Sequence, residues 1–218
     1  MSSLSFLTPP AGGSSSAAAL ARSPFELPAL RAGGRAQPRD GWQVVVDYGD
    51  REHERELLAQ TAGFADRSQL RKLELHGEHR AALGLAQLDG DGGWLCPVTP
   101  TRALLLGGGA SAPDDAVDLT CGYAALQLTG PSANELLARF CAIDVRPKVM
   151  PVGAFRPGSV ARTPGYVLRT AEDSLLLLVG WATGGYLWDV VMTAATHLNA
   201  GPVGAVALAE HEAVTARA

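Results

Sequence analysis

The chain has 218 residues, 47% of them hydrophobic and 18% charged, which is enough apolar material for one sizeable core. Its net charge of −4 is spread along the chain and argues against a nucleic-acid binder, which would carry a clustered basic face. Cys96, Cys121 and Cys141 are odd in number and lack CxxC spacing, so they read as reduced, buried thiols of a cytoplasmic protein, not as a disulfide frame or a zinc site.

Residues 1–22 are rich in Ser, Ala, Gly and Pro and cannot offset the entropy of ordering, so a disordered tail is expected there. The segment lacks the basic start and continuous apolar run of a secretory signal. No window reaches the roughly 20 apolar residues that span a bilayer. One folded domain is expected over residues 23–208, with a fraying end over 209–218.

SPFELPALRAGGR predicts a short helix interrupted by Pro28 and closed by Gly33 and Gly34. Val44–Val46 predict a strand ended by Gly49. REHERELLAQTAG predicts a helix capped by Asp50, with Leu57 and Leu58 as its apolar stripe and Gly63 as its stop. Its first turns are nearly all charged, which predicts a solvated face.

QLRKLELHG alternates, placing Leu73 and Leu75 on one face and Lys72, Glu74 and His76 on the other, as in a half-buried strand. EHRAALGLAQL predicts a helix, followed by the turn DGDGG and a hairpin WLCPV–TPTR–RALLLGG. GGGASAPDD is expected to be a loop. YAALQLTG then repeats the first strand, so that Leu126, Leu128 and Gly130 fall on Leu73, Leu75 and Gly77.

PSANELLARFCA predicts a helix with Pro131 in its first turn, and RPKVMPVGAFRPG a proline-rich irregular excursion. SVARTPGYVLRT, AEDS and LLLLVGW predict a hairpin whose second arm is buried on both faces. GGYLWDVVMTAATHLNAG predicts a helix with Leu187, Val190, Val191, Ala194 and Leu198 on one stripe, closed at Gly201. The fold class expected is α+β: two strand–helix–hairpin halves packed about a pseudo-twofold axis.

Trp42, Tyr48, Gly49, Glu52, His53, Ala62, Gly63, Phe64, Asp66, Ser68, Lys72 and Gly77 occur in an order that resembles the opening of the glycine-cleavage T-protein. The resemblance covers about residues 23 to 200. The second half, with DLTCGYAALQLTGPSANELLARFCAIDVRP, GAFRPGSVART and GGYLWDVVMTAA, is most similar to the gamma subunit of heterotetrameric sarcosine oxidase. The length also suits that small subunit and falls short of a complete T-protein with its extra C-terminal domain.

The resemblance implies a folate-binding-domain fold and a non-catalytic accessory role. Flavins and the nicotinamide cofactor would sit on the alpha, beta and delta partner subunits, which oxidise sarcosine or a related N-methyl amine. The alternative is a stand-alone tetrahydrofolate binder or a degenerate aminomethyltransferase. The T-protein segment that carries an aspartate near the transferred methylene is missing here, because the chain passes from Leu88 through DGDGG straight to the hairpin. The segment carrying its pterin-holding glutamate reduces to RTPGYVLRTAED, where Glu172 and Asp173 fall in a predicted turn and face water.

No catalytic residue and no metal ligand set is therefore expected, and a cofactor site is left unassigned. Asp114 and Asp115 read as a solvated loop, and His76 and His79 lack a third ligand in reach by sequence. GGGAS has no helix N-terminus directly behind it to hold phosphate. Ser68, His53 and Asp66 lack a nucleophile elbow, and Ser68 reads as bonding nearby backbone. Arg67, Arg71 and Lys72 fit either an acidic partner, including a folate glutamate tail, or a solvated strand edge. Trp181 and Trp188 fit core anchors or contacts to another subunit. The excursion is expected to expose Val149, Met150, Val152 and Phe155 as a subunit contact.

Overall fold

The computed structural model describes residues 19–79, 82–108 and 113–215. The chain opens with β1 (Ala21–Arg22) and α1 (Glu26–Arg31), then the hairpin β2 (Arg35–Arg39) and β3 (Trp42–Asp47), α2 (Arg51–Gln60), β4 (Gly63–Asp66) and β5 (Lys72–His76). Next come β6 (Gln87–Leu88), β7 (Trp94–Thr99), β8 (Arg102–Leu106) and β9 (Val117–Asp118). The second half runs β10 (Tyr123–Thr129), α3 (Ala133–Ala138), β11 (Phe155–Val160), β12 (Thr163–Ala171), β13 (Ser174–Gly180), α4 (Gly184–Thr196), β14 (Gly201–Pro202) and α5 (Ala205–Thr215).

Local chemistry accounts for most of these elements. Asp50 caps α2 by accepting from the His53 N–H at 3.0 Å, satisfying one of the unpaired amides of the first turn. β13 is apolar at every position from Leu175 to Val179 because both of its faces are covered. Leu175, Leu177 and Val179 join a core with Phe64, Leu126, Leu128, Leu187, Trp188 and Val191, whereas Leu176 and Leu178 join a second core with Leu104, Leu106, Cys96 and Phe155. The result is three layers: helices α1, α3 and α4, then the six-stranded sheet β11-β12-β13-β10-β4-β14, then the five-stranded sheet β6-β7-β8-β5-β9. A third cluster, Leu57, Leu58, Ala65, Val203, Ala207 and Leu208, fixes α2 and α5 beside β4.

The two strands that share a sequence pattern occupy matching places. β5 pairs with β8, with Leu73 opposite Leu105 and Leu75 opposite Ala103, and β10 pairs with β13, with Leu126 opposite Leu177 and Leu128 opposite Leu175. Each lies beside the second arm of its own hairpin. Each sheet also takes a strand from the other half: β9, which precedes β10, pairs with β5, and β4, which precedes β5, pairs with β10. Both strands end on a glycine with positive φ, Gly77 at 110° and Gly130 at 121°, a region that disfavours side chains.

The halves differ in the connection after that glycine. In the second half it is helical, but α3 stops at Ala138 because Cys141 bridges to Val160 and the Ala161 N–H bonds the Phe140 carbonyl. Pro131 precedes the cap residue Ser132 and lies outside the first turn. In the first half the helix expected over EHRAALGLAQL is absent from residues 82–88. Gly84 takes φ +86°, Leu85 bridges to Ala154, and the Ala86 N–H bonds the Gly153 carbonyl at 2.6 Å. Extended pairing with the excursion replaces the helix.

Other expectations are corrected by packing. Gly63 opens β4 and does not stop α2. Glu54, on the helix read as solvated, is 2% exposed: it accepts from the Tyr48 and Gly204 N–H groups, both at 2.7 Å, and so pins the C-terminal segment to α2. α4 ends at Thr196, ahead of Gly201. Helix α5 runs to Thr215, through residues expected to fray from Ala209. The tail expected over residues 1–22 lies outside the described residues up to residue 18, and Ala21–Arg22 pairs in parallel with β3.

The excursion is irregular from Ala142 to Ala154, but β11 begins at Phe155, and Met150 and Phe155 are fully buried. A buried cation organises it. The Arg169 guanidinium, 1% exposed, donates to the Met150 carbonyl at 2.5 Å, to Asn134 Oδ1 at 2.7 Å, and to the carbonyls of Val145 and Glu172. No carboxylate takes part in these bonds; main-chain and amide oxygens do the solvation. Replacing Arg169 by Met leaves these acceptors unpaired and should cost about 3 kcal/mol or more, read as a lower denaturant midpoint. Arg169→Lys, with a single ammonium in place of the fork, should recover less than half of that loss.

Candidate functional site

Three of the positions in the T-protein-like opening meet in the turn between β4 and β5. Asp66 ends β4 and accepts the Ser68 N–H at 2.8 Å, a local turn in which an aspartate stands in for a backbone acceptor. Ser68, fully buried, accepts the Ala125 N–H at 3.2 Å through Oγ, which ties the turn to β10. Lys72 begins β5 and is also fully buried. Its ammonium donates to the carbonyls of Ser68 at 2.8 Å, Leu70 at 2.9 Å and Thr120 at 3.1 Å, so all three donors are used. Its own N–H reaches Thr120 Oγ1 at 3.1 Å.

Burial raises the Asp66 carboxyl above its ordinary range, against hydrogen bonds from Ser23 and Ser68 and the attraction of Lys72. Burial likewise raises the Tyr48 phenol, with Asp66 and Glu54 adding repulsion. The Lys72 ammonium is lowered to about 8, chiefly by burial, while Asp66, Cys121 and Asp118 oppose the shift. A lysine near 8 suits a general base or nucleophile only where substrate can reach it. Lys72 is closed to solvent and fully engaged, so the cluster acts as a structural knot.

Two concavities stand out among the described residues. One, of about 470 Å³, is an open groove lined by Arg139, Phe140, Asp189, Val190, Thr193, Ala194 and His197 between the end of α3 and α4. The other, of about 580 Å³, is lined by Arg146, Pro147, Lys148 and Val149. Neither is lined by Asp66, Lys72, Glu172 or Asp173.

Residues 110–212 match the family model described as the GCVT N-terminal domain. Among solved structures, the chain resembles a chain of the heterotetrameric sarcosine oxidase from Corynebacterium sp. U-96 in complex with pyrrole 2-carboxylate. The two are 18% identical with a TM-score of 0.61, over 81% of this chain and 95% of that one. It also resembles the glycine cleavage system aminomethyltransferase T from Bartonella henselae, 15% identical with a TM-score of 0.69, over 86% of this chain and 60% of that one.

The chain has the fold that these two structures share. No curated protein matches the sequence. The chain spans about three fifths of the aminomethyltransferase T and nearly all of the sarcosine oxidase chain. The Asp66 carboxylate is occupied by Ser23 and Ser68, and Glu172 and Asp173 are exposed in the β12–β13 turn.

The remaining candidates disperse. Asp114 and Asp115 are exposed in a turn. His76 meets Glu74 at 3.0 Å, whereas His79 bonds the Thr99 carbonyl at 2.6 Å, and no group of three potential metal ligands forms among the described residues. GGGAS lies partly outside the described residues. His53 sits exposed on α2, 3.9 Å from Glu56 and apart from Ser68 and Asp66. The basic cluster loses Lys72 to the interior, which overturns both readings for that residue. Trp188 is a core anchor against Phe25 and Phe64, while Trp181 is partly buried and tilts against Trp42 at 6.1 Å. Cys96 and Cys141 are buried as expected, but Cys121 is exposed.

Sequence reasoning missed the burial of Lys72, Glu54 and Arg169, whose partners, apart from Asn134 Oδ1 on Arg169, are backbone groups that no residue type betrays. The fixed order of T-protein-like positions, which includes Lys72, was the available signal. Because the folded Lys72 titrates near 8 and the unfolded lysine near 10.4, the unfolded chain binds more protons between these values, and this lysine's contribution to stability rises with pH across that window. The difference in unfolding free energy between wild type and Lys72→Met should therefore grow by about 1–3 kcal/mol from pH 7.5 to pH 10, measured by urea denaturation. Taking the difference cancels the opposite trend from the raised Cys121 and Tyr48 groups.

Proposed function

We propose that the chain is a non-catalytic accessory subunit of a heterotetrameric oxidase, resembling the gamma subunit of sarcosine oxidase. Partner flavoprotein chains would carry the flavins, the nicotinamide cofactor and the oxidation of sarcosine or a related N-methyl amine. The single observation that supports this reading is the fold shared with the sarcosine oxidase chain, with a TM-score of 0.61 over 81% of this chain. The closed Asp66–Lys72 knot supports it, since the residues that could face a ligand are spent on internal bonds. The exchanged strands β4 and β9 further favour a duplicated unit related by a pseudo-twofold axis. No described helix is long and apolar enough to cross a membrane.

Co-expression with the large flavoprotein chains of the same organism should give one co-eluting complex with amine oxidase activity. A monomer that elutes apart from them would overturn the reading. Titration with tetrahydrofolate should leave the tryptophan fluorescence of the isolated chain unchanged. A saturable change at micromolar ligand would instead establish the alternative, a stand-alone folate binder.

A further inference from the structure

Apolar exposure in this chain is concentrated where the edges of the two large sheets meet. The segment 82–88 leaves β6 at the edge of one sheet and pairs with residues 153–155 at the edge of the other, through the Leu85–Ala154 bridge and the bonds of Ala86 to Gly153 and Phe155 to Gly84. This antiparallel register brings Val152 alongside Gln87. Leu83 (57% exposed), Leu85 (45%), Leu88 (63%), Val149 (45%) and Val152 (48%) all lie on this seam. They are five of the eleven large hydrophobic side chains that remain exposed among the described residues, so the patch is a concentration and not the usual scatter.

The patch is held in place. Arg169 grips the carbonyls of Val145 and Met150 beneath Val149 and Val152, and Arg156 donates to the Gly84 carbonyl under Leu85. A surface fixed in this way loses little side-chain and loop freedom when covered, which favours binding. The 580 Å³ concavity at Arg146–Val149 adjoins it and can receive a protruding apolar side chain.

Charge identifies the occupant. Arg146 is neutralised by Asp144 at 2.6 Å, and Asp89, at the far end, accepts the N–H groups of Asp91 at 3.1 Å and Gly93 at 2.5 Å. Lys148 is exposed and, like the half-buried Arg156, has no ion pair among the described residues. Asp89 accepts only N–H groups, so these two cations outweigh the one carboxylate and the seam is net positive. We infer that this seam docks a larger partner chain through an aliphatic ridge flanked by a carboxylate that meets Lys148. The inference rests on the accessory-subunit reading and locates its interface, which the sequence alone placed only in the excursion; the Leu83–Leu88 side is new to it.

The test uses the full chain co-expressed with the large flavoprotein chains. Val152→Asp and Leu85→Asp should each weaken assembly about 10-fold or more, as expected at the centre of an interface. Lys148→Glu should weaken it about 3–10-fold and flatten its salt dependence, as expected for a charge at the rim. Val214→Asp, on an exposed apolar residue of α5 away from the seam, should assemble as wild type, and circular dichroism checks that each variant is folded. If wild type assembles and the folded seam variants assemble equally well, the interface assignment fails while the accessory-subunit reading stands. If wild type does not assemble, both fall. If the isolated chain dimerises and Val152→Asp abolishes the dimer, the seam binds a second copy and the heterologous partner is wrong.

Discussion

Buried cations solvated by oxygens other than carboxylates hold this structure together. Lys72 and Arg169 both sit inside the protein, and both spend their donors mainly on main-chain carbonyls. An unpaired buried charge is prohibitive, so each such cation dictates the path of the irregular chain around it. Lys72 gathers the 66–72 turn and the Thr120 loop in the first half. Arg169 gathers the excursion from Val145 to Met150 in the second. Regular hydrogen bonding cannot organise these loops, one of which is broken by prolines, and the cations do so instead.

The exchange of strands between the two halves explains why those loops must be so well fixed. β4 belongs by sequence to the first half and by pairing to the second, and β9 does the reverse. The segments that follow them, 67–71 and 119–122, cross from one sheet to the other. Ser68 and Thr120 meet the strands and Lys72 at this crossing, through the Ala125 N–H and the Lys72 ammonium. This crossing is filled by mutual bonds, and five of the eleven exposed large hydrophobic side chains among the described residues lie on the outer seam.

Much of this architecture was legible from residue order. The cap at Asp50, the doubly buried strand at Leu175–Val179, the repeated strands ending at Gly77 and Gly130, and the stripe on α4 all express local periodicity or local hydrogen bonding. The turn position of Glu172 and Asp173 could also be read from residue order. The failures were of one kind. EHRAALGLAQL has a helical pattern, yet residues 82–88 pair with the excursion. Lys72 looks solvent-facing by strand alternation and Glu54 by the charged first turns of its helix, yet each is buried against backbone groups.

The sequence by itself determined which segments are strands or helices when their own periodicity and caps suffice, because these depend on neighbours a few residues apart. Only the tertiary structure decided where the charges went. The partners of Lys72, Arg169 and Glu54 include carbonyl acceptors and N–H donors up to 150 residues away, and every residue type except proline supplies both backbone groups. A polar side chain's partner is therefore set by chain path, which emerges only when the two halves close on each other.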